Sequence, residues 1–319
     1  MLTQYLPARD VPDQVRAFLA AELSAASAGE EAGAVVEEFF APSMSAWAAL
    51  ADGQVRAVVA ARLRRVRVHD PEYTYMPERY ALVPMSLWYE DEGSAFLGDL
   101  LDHVARDARG AGIERVFIEV PVSHDAAVAA VMRAGYAPSV VLAASPTRPG
   151  AFRDVPGVRI RTALPGDREA LIDLTLAEAD YHAAHTDSGI RPGQERGPTA
   201  NMVDEWLEEG TLPTFVAESD ARVVGMMPLR YVDDGDGAAL SRAYAYVAST
   251  FVDAPVRGRG VGSALLEQAF EAAHSAGVAV LLLHYVADNP LAASFWQAKG
   301  FSPVAVTFQA RLGGGGRHG

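Results

Sequence analysis

Three glycines alternate with other residues in the segment Val252-Asp253-Ala254-Pro255-Val256-Arg257-Gly258-Arg259-Gly260-Val261-Gly262. An apolar, β-prone run at 244–252 leads into this segment, and apolar residues recur at helical spacing over 265–273. Glycine permits positive φ angles and close approach of a ligand to the main chain. The first N–H groups of a helix lack partners and carry partial positive charge. Together with Arg257 and Arg259, the segment therefore predicts a cradle for a pyrophosphate.

The spacing of the glycines narrows the choice of ligand. The Lys-Ser/Thr pair of a P-loop is absent, which argues against a magnesium–triphosphate. The pattern Gly258-x-Gly260-x-Gly262 also differs from the Gly-x-Gly-x-x-Gly of dinucleotide-binding folds. A glycine-rich turn that binds nothing remains the alternative at this point.

Composition limits the classes of function. The chain has 319 residues, enough for two domains, and half of them are hydrophobic. No apolar run approaches the length of a membrane span and no signal peptide is visible, so we expect a cytoplasmic protein that does not insert into membranes. The net charge of −14 argues against nucleic acid as a partner and suits a cationic small substrate. Because there is no cysteine, disulfides, cysteine-ligated zinc and a cysteine–acyl intermediate are excluded.

The two halves of the chain share one order of elements: hairpin, strand, helix, strand, helix, Gly-aromatic pair and strand. Hairpin signals lie at 47–61 and 215–226, and Arg133-Ala134-Gly135-Tyr136 is analogous to Ala298-Lys299-Gly300-Phe301. We interpret this as an internal duplication, with two unrelated α/β units as the alternative. The predicted divisions are a degenerate domain at 1–145, a linker at 146–157, a catalytic domain at 158–312 and a flexible tail at 313–319.

A second landmark is Asn289-Pro290-Leu291-Ala292-Ala293-Ser294-Phe295-Trp296-Gln297-Ala298-Lys299-Gly300-Phe301. With Arg257-x-x-Gly260-x-Gly262 before it, the chain resembles the GNAT (Gcn5-related) N-acetyltransferase superfamily over 158–311, and its whole length is similar to tandem-GNAT proteins. The resemblance implies an α/β (α+β) fold of two GNAT-like domains. Each would be a mixed, mostly antiparallel twisted sheet with a central splayed pair of parallel strands, flanked by helices.

The resemblance also implies that acetyl-CoA is a co-substrate, that no metal is required, and that the pantetheine arm adds to the sheet in the splay. Asn289 is then expected to bind this arm, to cap the following helix, or both. The residues implied to contact acyl-CoA are Phe251, Val252, Arg257, Gly258, Arg259, Gly260, Val261, Gly262, Ser263, Asn289, Ala292, Phe295 and Trp296.

The usual acid and base of the family are not at their expected positions. The strand before the glycine turn has no carboxylate, and Trp296 stands where many members carry a tyrosine acid, although an indole N–H supplies no proton at neutral pH. His284, near the end of an apolar strand, is the predicted base because a neutral imidazole suits pH 7, and a structural buried histidine is the alternative. Tyr246 is predicted to be an acid or a substrate contact.

Two polar segments have roles that the residues alone do not decide. The segment 178–187 has two histidines and several acids, and the resemblance implies that this region covers the acceptor pocket. We expect a solvated loop here, with an acid that binds the acceptor as one alternative and a metal site as a less favoured one. In the first half, Glu90-Asp91-Glu92-Gly93-Ser94 stands in place of the cradle, so we expect that half to bind no CoA.

The sequence thus predicts direct acetyl transfer to a primary amine of a small molecule, by a monomer or homodimer. A non-catalytic acyl-CoA-binding or regulatory protein is one alternative. An N-acetyltransferase that acts on proteins or peptides is the other.

Overall fold

The computed structural model describes residues 3–25, 36–67, 75–85, 88–90, 95–190, 196–208, 213–232 and 244–312. These residues fall into two compact units. The first comprises the described parts of Met1–Arg67, Pro77–Ser139 and Ala305–Gly319, and the second comprises 75–76 and the described parts of Val140–Val304. Within the described ranges, no helix has the length and apolar character needed to cross a membrane.

The first unit is a mixed sheet covered by helices. Its strands pair in the order β1, β2, β3, β4, β6 and β14, and only β4 and β6 run parallel. A short strand, β5, pairs with β3. The elements are β1 Thr3–Pro7, α1 Pro12–Ala25, β2 Met44–Ala51, β3 Gln54–Arg65, β4 Arg79–Val83, β5 Trp88–Glu90, α2 Leu97–Gly110, β6 Arg115–Pro121, α3 Asp125–Arg133 and, from later in the chain, β14 Ser302–Arg311.

The second unit repeats this plan. Its strands pair in the order β8, β9, β10, β11, β13 and β7, and only β11 and β13 run parallel. The short β12 pairs with β10. The elements are β7 Ala137–Pro146, β8 Arg159–Thr162, α4 Arg168–His185, α5 Arg196–Leu207, β9 Thr214–Ser219, β10 Arg222–Val232, β11 Tyr244–Val247, β12 Phe251–Val252, α6 Val261–Ser275, β13 Val280–Val286 and α7 Ala292–Ala298. The expected mixed sheet flanked by helices is confirmed.

The last strand of each predicted half lies in the other unit. Residues 140–146 of β7 pair with β13, whereas residues 305–311 of β14 pair with β6. Both ladders are antiparallel and extend over seven residue pairs. Each unit therefore contains strands from both predicted halves. The segments predicted at 91–94 and 313–319 lie outside the described residues.

Both predicted hairpins form, and the turn residues explain why. Asp52 and Gly53 connect β2 to β3 with φ angles of 52° and 79°, and Asp220 and Ala221 connect β9 to β10 with φ angles of 49° and 58°. Two successive positive φ angles match the right-handed twist of the paired strands.

The predicted linker is tied to helix α6. Arg148 donates two hydrogen bonds to the carboxylate of Glu267, with Nη–Oε distances of 2.6 and 2.9 Å. The main-chain N–H of Ala151 donates to the same carboxylate. A Cβ at Gly150 would lie only 2.7 Å from the main-chain oxygen of Glu267, so glycine is required for this close approach. These contacts fix the chain beside the helix that follows the glycine turn.

Candidate active site

A gap opens between two strands of the second unit. Strands β11 and β13 are parallel partners from Ala245–Leu281 to Val247–Leu283, and their pairing then stops. The chain resumes as β12, which pairs with β10 instead, while β13 continues beside β7 to Val286. The predicted splay is therefore present. The strand expected to be continuous over 244–252 is instead broken at 248–250, and this break turns β12 away from β13.

The glycine turn ends at the N-terminus of α6. Gly258 and Gly260 have φ angles of 72° and 91°, which disfavour any residue with a Cβ, and Gly260 is the N-cap of the helix. Among the described residues, no protein group accepts a hydrogen bond from the N–H groups of 258–263. These N–H groups, together with the positive end of the helix, fit the phosphates of an acyl-CoA.

The two arginines of the turn have different environments. Arg257 donates from Nε to the carbonyl of Val252 over 2.7 Å, and its guanidinium lies about 5 Å from the ring centroids of Tyr181 (5.0 Å) and Phe251 (5.1 Å). It braces the turn against α4. Arg259 is exposed and has no ion-pair partner within the part of the chain that the structure describes. Of the two, Arg259 therefore has the charge that is available to a phosphate.

Helix α7 presents one aromatic residue to the turn and buries the other. A Cβ at Gly262 would lie 3.5 Å from the Phe295 ring, so these two predicted contact residues adjoin. Trp296 is buried against Phe301, with ring centroids 5.4 Å apart. The Oδ1 of Asn289 accepts a hydrogen bond from Leu291 N–H at 3.0 Å, which forms an Asx turn leading into α7. The N-cap of α7 is Leu291, so the expected cap by Asn289 lies two residues before the helix end.

The two predicted catalytic residues contact each other at the gap. Tyr246 is registered with Leu282, so its side chain and that of His284 are on the same face, and the Tyr246 hydroxyl lies 2.9 Å from His284 Nδ1. Part of the His284 residue is exposed to solvent, but nearby protein atoms desolvate its imidazole, which lowers the pKa of His284 from the ordinary value. Burial raises the pKa of Tyr246 to about 12. Both groups are therefore neutral near pH 7.

A buried carboxylate lies at the break in the strand. Glu178, on α4, is 8% exposed, and its Oε2 accepts a hydrogen bond from the Ser249 hydroxyl. The main-chain N–H of Thr250 also donates to this carboxylate. Burial raises the pKa of Glu178 to about 7 despite these two donors. A carboxyl group with this pKa can accept and release a proton at neutral pH.

No catalytic role was predicted for Glu178, although an acid of 178–187 was an alternative for binding the acceptor. The loop expected over 178–187 is wrong as far as His185, because α4 extends to that residue. Glu178 follows Leu171, Leu174 and Thr175 at helical spacing, and all are buried. An acid at this spacing on an otherwise apolar helix face was the signal that could have identified it. The two histidines of this segment do not converge, because His185 stacks on Tyr181 whereas His182 lies beside Glu178.

The pH dependence of stability should reveal the burial of Glu178. Its pKa rises from 4.5 in the unfolded chain to about 7 in the folded protein, so the folded state loses stability as pH rises through this window. The difference in free energy of unfolding between Glu178→Gln and wild type should therefore depend on pH. We expect it to be more favourable to the variant at pH 8 than at pH 4.5, by up to about 3 kcal/mol. Urea unfolding at both pH values measures this difference. Glu169→Gln, at the exposed start of the same helix, is the control and should show no such gain; an equal gain there would refute the assignment.

A family model described as the acetyltransferase (GNAT) family matches residues 178–301. Residues 178–301 form a GNAT domain. This GNAT domain contains the gap, the glycine turn, the Tyr246–His284 pair and Glu178.

Two curated relatives resemble parts of the chain. A mycothiol acetyltransferase of Beutenbergia cavernae is 34% identical over 85 residues, which are 24% of this chain and 29% of the relative. A mycothiol acetyltransferase of Sanguibacter keddieii is 28% identical over 156 residues, which are 48% of this chain and 46% of the relative. The chain thus matches less than half the length of either relative.

Solved structures share the fold over nearly the full chain. A GCN5-related N-acetyltransferase from Sphaerobacter thermophilus has a TM-score of 0.59 at 18% identity and covers 98% of this chain and 96% of its own. A tandem GNAT protein from the clavulanic acid biosynthesis pathway has a TM-score of 0.52 at 17% identity and covers 98% and 99%. Over nearly its whole length, the chain therefore has the fold of these two structures.

Proposed function

We propose that the protein is an N-acetyltransferase that moves the acetyl group of acetyl-CoA directly to a primary amine of a small molecule, with catalysis in the second unit. The observation that carries this proposal is the row of N–H groups at 258–263, which has no acceptor among the described residues and lies at the N-terminus of α6. The curated relatives named acetyltransferases support the reaction class. The acidic net charge supports a cationic acceptor.

The proposed reaction needs two proton transfers besides the attack itself. The amine nitrogen forms a bond to the thioester carbon, and one nitrogen proton passes to Nε2 of His284. The C–S bond then breaks, and the leaving thiolate takes a proton from the hydroxyl of Tyr246. The protonated His284 then donates its Nδ1 proton to the Tyr246 phenolate across their 2.9 Å contact, which leaves a neutral His284 with its proton on Nε2. Proton exchange with water returns His284 to its first tautomer before the next turnover. This scheme assigns the Nδ1–H tautomer to His284.

Thiol release tests this function cleanly. Because the chain has no cysteine, a thiol reagent detects only the CoA that is produced. We expect acetyl-CoA to acetylate at least one small molecule in a panel of sugar amines, aromatic amines, polyamines and amino acids, at rates well above its hydrolysis. A panel of peptides tests the alternative acceptor. If CoA binds and thiol release stays at background with every acceptor, a non-catalytic acyl-CoA-binding protein is the better description.

A further inference from the structure

An arginine without an ion-pair partner lies beside the proposed catalytic pair. Arg230, near the end of β10, is directly opposite Tyr246 in the antiparallel ladder with β11. Side chains that are directly opposite in such a ladder point to the same face of the sheet. Arg230 therefore lies on the face from which Tyr246 and His284 project. It is exposed, and it forms no salt bridge with any residue that the structure describes.

Other arginines of this unit neutralise carboxylates of the chain itself. Arg161 donates two hydrogen bonds to Asp167 over 2.6 and 2.9 Å, and Arg168 donates two to Asp204 over 2.6 and 2.8 Å. These pairs hold the start of α4 against β8 and α5. Arg230 has no such carboxylate within the described ranges, so its charge is available to a ligand.

We propose that Arg230 binds an anionic group of the acceptor, a carboxylate or a phosphate, so that the substrate is an amine that also has a negative charge. This inference rests on the proposed function, which it deepens by naming the class of acceptor. A guanidinium presents a planar fork of N–H donors that binds two oxygens of such a group at once. The net charge of −14 repels anions at long range, so an anionic acceptor needs a local cation of this kind.

The spacing of the site limits the length of the acceptor. Arg230 and His284 are two strands and two residues apart, with Tyr246 on the strand between them. This separation corresponds to about 12 Å between their Cα atoms, and both side chains extend from the same face. An amine at His284 Nε2 and an anionic group at Arg230 are therefore joined by a short chain rather than by a single carbon.

The charge of Arg230 already acts on the catalytic pair. Burial is the largest cause that raises the pKa of Tyr246, and the positive charge of Arg230 opposes this rise. Glu178 also acts on Tyr246, but its carboxylate accepts from Ser249, which follows the end of β11, and it makes no ion pair with Arg230. A ligand held by Arg230 is thus adjacent to the groups that move the protons.

Matched acceptors test the class of substrate. Glycine, β-alanine, γ-aminobutyrate and ε-aminocaproate are each compared with the corresponding primary amide, which keeps the shape and removes the charge. Aminomethylphosphonate and aminoethylphosphonate replace the carboxylate by a phosphonate and distinguish the two kinds of anion. We expect kcat/KM, measured by thiol release, to be about tenfold or more higher for at least one anionic acceptor than for its amide. The longer members should show the larger ratio.

Variants of Arg230 test whether this residue causes the preference. Arg230→Gln should reduce the ratio of kcat/KM between anion and amide to about one. Arg230→Lys keeps the charge without the fork and should retain part of the preference. Both acceptors of a pair use Tyr246 and His284, so an indirect effect on catalysis cancels in the ratio. Arg222→Gln removes an exposed arginine at the other end of β10 and should keep the wild-type ratio.

The outcomes separate this inference from the proposed function. If wild-type protein acetylates amines but favours no anionic acceptor over its amide, or if Arg230→Gln keeps the preference, the role of Arg230 is wrong and the function stands. If no acceptor is acetylated, the proposed function fails. Saturation-transfer NMR with γ-aminobutyrate and its amide then decides the inference, because binding of the anion should exceed that of the amide and should be lost in Arg230→Gln; equal binding of the two would refute it.

Discussion

Gly260→Asp should abolish the binding of CoA. The φ angle of 91° at this N-cap is one that a residue with a Cβ rarely adopts, so the substitution strains the turn. Aspartate also places a negative charge beside the N–H groups proposed to hold the pyrophosphate, and like charges repel. We expect the Kd of CoA, measured by isothermal titration calorimetry, to rise by about two orders of magnitude or more.

Gly277→Asp is the matched control for this change. Gly277 follows the other end of α6 and has a φ angle of 74°, and a Cβ at this position would meet no described atom within 4 Å. This variant therefore adds the same charge and a similar backbone strain away from the cradle. It should bind CoA as the wild type does. If Gly260→Asp binds CoA normally, or if both variants lose binding equally, the assignment of the turn as a pyrophosphate site is refuted.

His284→Ala and Tyr246→Phe should each lower kcat by about two to three orders of magnitude and change the Kd of CoA little. The two residues act as one unit in the proposed scheme, because protonation of His284 lets it donate its Nδ1 proton to Tyr246. The double variant should therefore be about as slow as the slower single variant, since residues that act together are not additive. Stopped-flow or steady-state thiol release with the best amine of the panel measures all four proteins.

The pH–rate profile separates a base from a structural histidine. Burial lowers the pKa of His284, so its neutral form persists to a lower pH than that of an ordinary histidine. Activity that depends on neutral His284 should therefore decline only below the ordinary histidine pKa. This acidic limb of kcat should disappear in His284→Ala. His274→Ala, on the exposed surface of α6, and Tyr231→Phe should match the wild type. A profile unchanged by His284→Ala, or fully additive losses in the double variant, would exclude the paired role.

The parts that the sequence predicts well are those determined by neighbouring residues. Alternating glycines before a helical pattern indicate a turn with positive φ angles, so this turn can be identified from local spacing. Asn289 before Pro290 indicates a side-chain contact to the main chain, and this contact forms, although the N-cap of α7 is Leu291. The Tyr246–His284 contact was only partly predictable, because each residue was a candidate but their register across β11 and β13 was not known. The break at 248–250 was missed because Ser249 and Thr250 are compatible with a strand.

Other features depend on contacts that are distant in sequence. Glu178 matters because the fold brings α4 against the strand break, where its partner Ser249 lies 71 positions further along the chain. No local pattern relates these residues, since burial and partners appear only after the chain has folded. The pairing partners of β7 and β14 could not be predicted either. A strand at the end of a half has the same apolar alternation whichever sheet it joins.

The pairing of β7 with β13 and of β14 with β6 limits which truncations of the chain can fold. A chain that ended near residue 146 would lack the strand that pairs with β6, and a chain that began there would lack the strand that pairs with β13. Each would expose a long apolar strand edge, which favours aggregation. Loss of either half would thus damage the folding of the half that remained. The need to fold is therefore enough to keep both halves in one chain, whether or not each of them binds a ligand.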